Sequence, residues 1–366
     1  MTQVFTSQTL AESAAQPRSR DRAVGIWLLV CAAMIFVMVL LGGITRLSGS
    51  GLSIMEWKPL MGALPPMSTA EWERVFALYR EIEQYKNINA GMTLPEFQGI
   101  FWWEYSHRLW GRLIGLVFFL PFLWFLVRGY LRKAPGEKSL APKLAAIFLL
   151  GALQGGIGWY MVASGFEDRD SVSQYRLVLH LGLALLIYAL ILRAAFDLLR
   201  PRPLPGDASA ARPLRRHAIV LLALIAVELV LGGLVAGLHG GLIYNDFPLM
   251  NGDWIAPDVF GRSPWWINPT EDPVTAQFLH RIGAALITVT LLWLVARIWL
   301  SALPEAVKAR SGILLAALVL QVALGISTLV LMVPLPLAVA HQGGAVILLT
   351  ATLYTLHGLK RVGAPQ

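Results

Sequence analysis

Residues 104–112 read EYSHRLWGR and run straight into LIGLVFFLPFLWFLV, residues 113–127. A glutamate, a histidine and two arginines thus open a segment apolar enough to enter a bilayer. The arrangement returns at QFLHRIGA, residues 277–284, so His107-Arg108 has an echo in His280-Arg281. Two polar clusters at matching places on apolar segments point to a repeat.

Working outward, the chain reads twice. LLGGITRLSGSGLSIMEWKPLMG (40–62) is matched by LGGLVAGLHGGLIYNDFPLMNG (231–252). Gly42-Gly43 precede Gly51-Leu52 by the interval that separates Gly232-Gly233 from Gly241-Leu242, and Pro59-Leu60-Met61 matches Pro248-Leu249-Met250 with a slip of one. Leu153-Gln154 pairs with Leu320-Gln321, and His180 with His341. Crossing a bilayer takes about 20 apolar residues. Such stretches lie near 24–43, 109–130, 142–164, 173–197, 217–238, 275–299, 311–333 and 336–357. Four spans per repeat return the chain to the side it started from, so both halves enter with the same orientation. The expected fold is an all-α integral membrane protein, with eight transmembrane helices in two pseudo-twofold-related four-helix bundles.

The expected layout is a tail (1–23), a first bundle (24–197) with a large outer segment (44–106), and a linker rich in proline and arginine (198–216). A second bundle (217–358) with an outer segment (239–273) and a short tail (359–366) follow. Within the first outer segment, TAEWERVFALYREIEQY has apolar residues at helical spacing among charges and predicts a surface helix.

With 56% hydrophobic and 14% charged residues, a soluble domain is excluded. The net charge of +8 suggests nucleic acid until its distribution is read. The segments expected to face inward carry 19 of 30 basic residues and 6 of 22 acidic ones. That is the positive-inside pattern, with both termini cytoplasmic, and the expected location is the bacterial cytoplasmic (inner) membrane. Cys31 is the one cysteine, which excludes an internal disulfide, a thiolate metal cluster and the C-x-x-C-H haem signature. No cleavable signal pattern opens the chain. GSGLSI (49–54) fails the dinucleotide fingerprint and reads as an outer turn. No phosphate loop, Ser-His-Asp set or nucleic-acid module is visible.

Four of the seven histidines, His107, His180, His280 and His341, occupy repeat-matched places near the starts of even-numbered spans. Each bundle then has two imidazoles on different helices at similar depth, toward the outer leaflet. Such a pair suits the two axial positions of one haem iron. Arg108 and Arg281 each follow a proposed ligand, where a haem carboxylate needs a charged partner, and Arg46 is a weaker candidate of the same kind. His217, His239 and His357 have no match in the other half and read as non-ligands.

Two carboxylates break the repeat. Glu104 lies one helical turn before His107, whereas the second half has Gln277. It is the candidate catalytic residue, able to take or deliver a proton. Glu228 lies well inside the fifth span, where an ionisable group is costly and functional by default, and its counterpart is Met38. The sequence names no partner for it.

The stretches GGITRLSGSGLS, WKPLMGALPP, EFQGIFWWEYSHRLWGR and GGLIYNDFPLM, in that order, resemble the haem A synthase family, and the resemblance runs from about Val24 to the last span. It implies an oxidoreductase that converts haem O to haem A, oxidising a porphyrin methyl group to a formyl group for terminal haem-copper oxidases. It further implies that His280 and His341 hold a haem B cofactor, that His107 and His180 mark the substrate haem site, and that Glu104 lies beside the reacting haem. Haem O synthase is the implied partner. The first outer loop has no cysteine pair, which resembles the cysteine-free proteobacterial and mitochondrial branch. The electron donor and any homo-oligomer stay open.

A di-haem membrane cytochrome, passing electrons between a quinol and a partner, suits four histidines in two bundles equally well. Glu104 on one side only and the motif match separate the two. A repeat-built transporter predicts a midplane site and broken helices, which the outward clustering of these residues disfavours.

Overall fold

The computed structural model describes residues 19–57, 61–132, 139–166, 171–200 and 202–363. Its eight long helices are each long and apolar enough to cross a membrane: α1 (Ser19–Leu47), α2 (Leu94–Val127), α3 (Ala141–Ala163), α4 (Gln174–Leu199), α5 (Ala208–Gly237), α6 (Pro273–Trp299), α7 (Glu305–Val330) and α8 (Leu335–Arg361). No strand occurs among the described residues. The chain is an all-α, multi-pass integral membrane protein. The N-terminal tail through Arg18, and Pro59 and Leu60 of the repeated outer stretch, lie outside the described residues.

Each half closes into a ring. In the first, α1 packs on α2, α2 on α3, α3 on α4 and α4 back on α1; in the second, α5 to α8 repeat that order. Between halves α1 meets α8, α5 meets α4, and α4 meets α8. Exchanging the halves turns this set of neighbours into itself, so the packing is consistent with the expected pseudo-twofold.

In lipid, helices gain no hydrophobic energy by meeting, and small residues that allow close approach replace that drive. The paired glycines divide this work. A Cβ on Gly43 would run into Gln342 of α8, whose Nε2 donates to the Val39 carbonyl at 2.9 Å. A Cβ on Gly233 would lie 2.9 Å from Val178 Cγ2 of α4. The second glycine of each pair therefore lets the halves close on one another, and the first faces a histidine.

Helical conformation outlasts the hydropathic spans. α2 begins at Leu94 rather than near 109, because a polar stop signal is absent and a start signal is present. The Glu96 carboxylate folds back to accept the Thr93 N–H at 2.7 Å, and Pro95 sits in the first turn. The added turns stand outside the apolar span and bury Phe97 and Phe101 against Leu52, Phe76, Tyr79, Ile82 and Val172. Burial of each such ring contributes about 1.5–3 kcal/mol. The surface helix expected in this segment forms as Thr69–Arg80 and Glu83–Asn87. At the other end of the half, α5 starts at Ala208 behind an Asp207 cap on the Ser209 N–H (2.7 Å), so part of the expected linker is helical. Leu204 pairs with the end of α8 through Arg361 O at 2.8 Å.

Candidate functional site

The four repeat-matched histidines lie on α2 and α4 and on α6 and α8, which face each other diagonally across the two rings. The other diagonals supply a glycine to each imidazole. A Cβ would lie 3.3 Å from His107 Nε2 at Gly42 and 2.9 Å from His180 Cε1 at Gly158. In the second half it would lie 3.2 Å from His280 Cε1 at Gly232 and 2.9 Å from His341 Cε1 at Gly325. At Gly158 and Gly325 a methyl group would force the imidazole to shift, and at Gly42 and Gly232 it would need the ring to give by a few tenths of an ångström. Gly158 and Gly325 escaped the sequence reading. Carrying the Leu-Gln match four residues further finds both.

The His280 and His341 ring centres are 6.4 Å apart. Metal–imidazole bonds of about 2.0–2.1 Å, with each ring centre roughly 1 Å beyond its nitrogen, put two imidazoles flanking one metal on the order of 6 Å apart. The buried Nδ1 atoms of both rings and Oε1 of Gln321 have no hydrogen-bond partner. In the first half, Gln154 donates to the His180 carbonyl at 3.0 Å and lays its amide along the ring. Glycine cradles and the imidazole spacing fit a group held by two histidines. No set of three or more His, Cys, Asp or Glu side chains gathers as a metal site among the described residues.

Glu104 and Arg108 are brought together, and their first task is mechanical. Glu104 is 3% exposed. Its Oε2 accepts from Ser53 Oγ and the Ile54 N–H, both at 2.8 Å, and its Oε1 from Arg108 Nε at 2.9 Å and Nη2 at 2.5 Å. Arg108 also donates to the carbonyls of Ile54 (2.7 Å) and Glu56 (3.2 Å). The second half builds the same strap with a neutral residue. Gln277 Nε2 donates to Gly240 O (2.9 Å) and Tyr244 O (3.0 Å). Arg281 donates to the carbonyls of Tyr244 (2.9 Å), Asp246 (3.1 Å) and Leu249 (2.7 Å). In both halves a four-residue step on the histidine helix ties down the loop that follows the first span. In the second loop the N–H groups of Asn251 and Gly252 hold the Asp246 carboxyl below its ordinary range.

Arg46 does not join a histidine pair. Its Nη2 donates to Ala236 O (3.1 Å) and Gly237 O (3.3 Å) at the end of α5, and lies 2.9 Å from His239 Nε2. Desolvation and the Arg46 charge push the His239 pKa down, which leaves Nε2 free to accept. The buried Nε atoms of Arg46 and Arg281 have no acceptor, so each keeps a donor for a carboxylate. His357 stands apart between Asp197 (3.4 Å) and Arg310 (3.4 Å).

Glu228 gains the partner that sequence could not name. Its Oε1 lies 2.8 Å from His280 Nδ1. A Cβ on Gly283, one turn along α6, would collide with the carboxylate.

Residues 25–353 match the family model described as cytochrome oxidase assembly protein. The chain belongs to that family. A protein from Rhodospirillum centenum named "Heme A synthase" is 48% identical, covering 99% of this chain and 96% of its own. A "Heme A synthase" from Nitrosospira multiformis is also 48% identical over 98% of this chain and 99% of its own. One from Nitrosomonas eutropha is 48% identical over 92% and 93%.

Proposed function

We propose that the chain is a haem A synthase, an oxidoreductase that converts the methyl group of haem O to the formyl group of haem A. The observation that carries this is 48% identity to proteins of that name over nearly the whole chain, with no half missing. Membership of a cytochrome oxidase assembly family fits a product destined for terminal haem-copper oxidases.

On this reading residues 217–358 are the resident half, where His280 and His341 hold haem B, and 24–197 are the substrate half, with His107 and His180 receiving haem O. Haem B, when bound, supplies one-electron redox chemistry. The chain's own residues do the rest. The glycines seat the imidazoles, and the Glu104–Arg108 and Gln277–Arg281 straps hold the outer loops above them. Arg281 and Arg46 have open donors for haem carboxylates, and Arg108 is the third candidate, already engaged by Glu104. Taking the methyl group to a formyl group with water as the oxygen source releases four protons and four electrons, the electrons leaving to an external oxidant. Glu104, one turn from His107, is the carboxylate that would accept a proton through loss of one of its four hydrogen bonds. The charge pattern supports the bacterial inner membrane with both termini cytoplasmic. Haem O synthase is the partner that would supply the substrate.

The test is expression with a haem O synthase, followed by extraction and separation of non-covalent haems, with Glu104→Gln and His280→Ala alongside. Haem A from the parent and its loss in both variants is the expected result. Recovery of haem B and haem O alone, with a six-coordinate haem spectrum in the protein, would replace this reading with an electron-transfer cytochrome.

A further inference from the structure

The second half holds a buried carboxylate against one proposed ligand, and the first half does not. Glu228 Oε1 is 2.8 Å from His280 Nδ1, yet the ring N–H direction misses the oxygen, and both carboxylate oxygens lack a hydrogen-bond donor. A carboxylate deep in an apolar helix, without a donor, is an expensive arrangement. The sequence makes space for it, since Gly283 is the residue whose side chain would fill the carboxylate's place. At the matching positions the first half has Met38 and Trp110, and Trp110 Nε1 donates instead to the Met34 carbonyl at 2.8 Å. Glutamate with glycine in one half and methionine with tryptophan in the other is a paired difference across the same two helices.

We propose that Glu228 is a positioning residue that accepts the His280 Nδ1–H and so fixes which ring nitrogen faces the resident haem; this rests on the assignment of His280 and His341 to haem B. A small turn about the broad terminal torsion of histidine aligns the pair. A carboxylate on the distal N–H of a ligating histidine locks the tautomer, raises the donor strength of the other nitrogen and favours the more positive metal state. The half with Glu228 thereby retains its haem. The half with Met38 has no such hold, as a site that must release its product requires.

The experiment uses the full-length chain carrying His107→Ala and His180→Ala, so that haem bound by the second half is read alone. Haem retention, midpoint potential and the low-spin resonance spectrum are measured for Glu228 and for Glu228→Gln, Glu228→Asp and Glu228→Leu. Glu228→Gln is close to isosteric and keeps the fold. It is expected to weaken ferric haem binding about tenfold. With ferrous binding unchanged, that is an upward shift of about 59 mV for a one-electron couple. Glu228→Leu should shift it further, and Glu228→Asp should restore part of the difference. An unchanged potential and spectrum in Glu228→Gln and Glu228→Leu, while His280→Ala loses the haem, overturns the proposal alone. Retention of the haem by His280→Ala overturns the ligand assignment beneath it.

Discussion

Arg46 donates from Nη2 to the backbone carbonyl of Ala236, and Ala236 occupies the place of Arg46 in the second repeat. A contact between repeat-equivalent residues belongs on the axis that relates them. The same guanidinium meets Gly237 O, so a positive charge closes the carbonyl end of α5, where the helix dipole favours it. Arg46→Met is expected to lower stability in detergent by about 1–2 kcal/mol. Thermal unfolding followed by helical signal measures it; an unchanged midpoint would show that this joint carries no load.

The joint should also respond to pH. His239 accepts from Arg46 as a neutral imidazole, and its pKa is depressed below the ordinary 6.5. A depressed histidine contributes stability that is full above the unfolded value and is lost as pH falls through the folded one. His239→Asn keeps the left-handed backbone at this position tolerable. The melting difference between parent and His239→Asn should be largest above pH 6.5 and shrink on acidification. A difference that grows toward pH 5 would contradict the assigned role.

Methyl groups at the cradles should expel the haem proposed for the histidine pairs. Gly325→Ala places a Cβ 2.9 Å from His341 Cε1, and Gly325→Val adds more bulk there. Haem content per protein should fall with alanine and vanish with valine, with helical content unchanged. Gly155, where a Cβ meets nothing within 4 Å, is the matched control.

Glu104→Gln and Glu104→Ala should part company. Glutamine stands at the equivalent Gln277, and Arg108 keeps its loop carbonyls, so Glu104→Gln should fold and bind haem. Loss of general acid–base work lowers rates roughly 100- to 10,000-fold, so haem A yield should fall by at least the lower figure. Glu104→Ala deletes every acceptor at this place and leaves the Ser53 hydroxyl, the Ile54 N–H and the Arg108 Nε without one, and each buried donor so stranded costs about 1–3 kcal/mol. Its outer loop should become open to protease. Normal haem A yield from Glu104→Gln would confine Glu104 to the strap.

Arg281→Lys tests the strap of the second half. Arg281 reaches three loop carbonyls with a rigid fork that an ammonium does not match. Each hydrogen bond from a charged donor is worth about 1.5–3 kcal/mol. Limited proteolysis within 244–252 should rise in Arg281→Lys, and an unchanged pattern would show that the loop holds itself.

The eight spans and the repeat were legible because apolar length and matched motifs are one-dimensional signals. Expected and observed spans coincide wherever a helix ends with its apolar run, as α6 does near Trp299. They part at α2, whose first turns are polar and aromatic. Thr93 and Glu96 announced that start at capping spacing and went unread. The four histidines stood out because the repeat duplicated them. Glu228 was flagged as costly, but its partner lies on the next helix, and no spacing along the chain encodes which faces meet. Arg108 and Arg281 stood out as partners for a ligand's carboxylates, and the loop carbonyls that both also hold were not legible, because no spacing along the chain encodes them.

The long α2 has a geometric consequence. It is a single shaft whose outer end is clamped by Phe97 and Phe101 and whose inner stretch bears His107. Each residue advances a helix by about 100°, so the rings of the aromatic clamp set the azimuth of the imidazole that follows them along α2. One residue inserted between Phe101 and Glu104 would swing Glu104, His107 and Arg108 together toward a different helix. Seven inserted residues would bring them back to within roughly 20° of their bearing, though lifted about two turns along the axis. The spacing between the aromatic clamp and the histidine is therefore a rotational setting, and sequence change there is constrained by angle before it is constrained by chemistry.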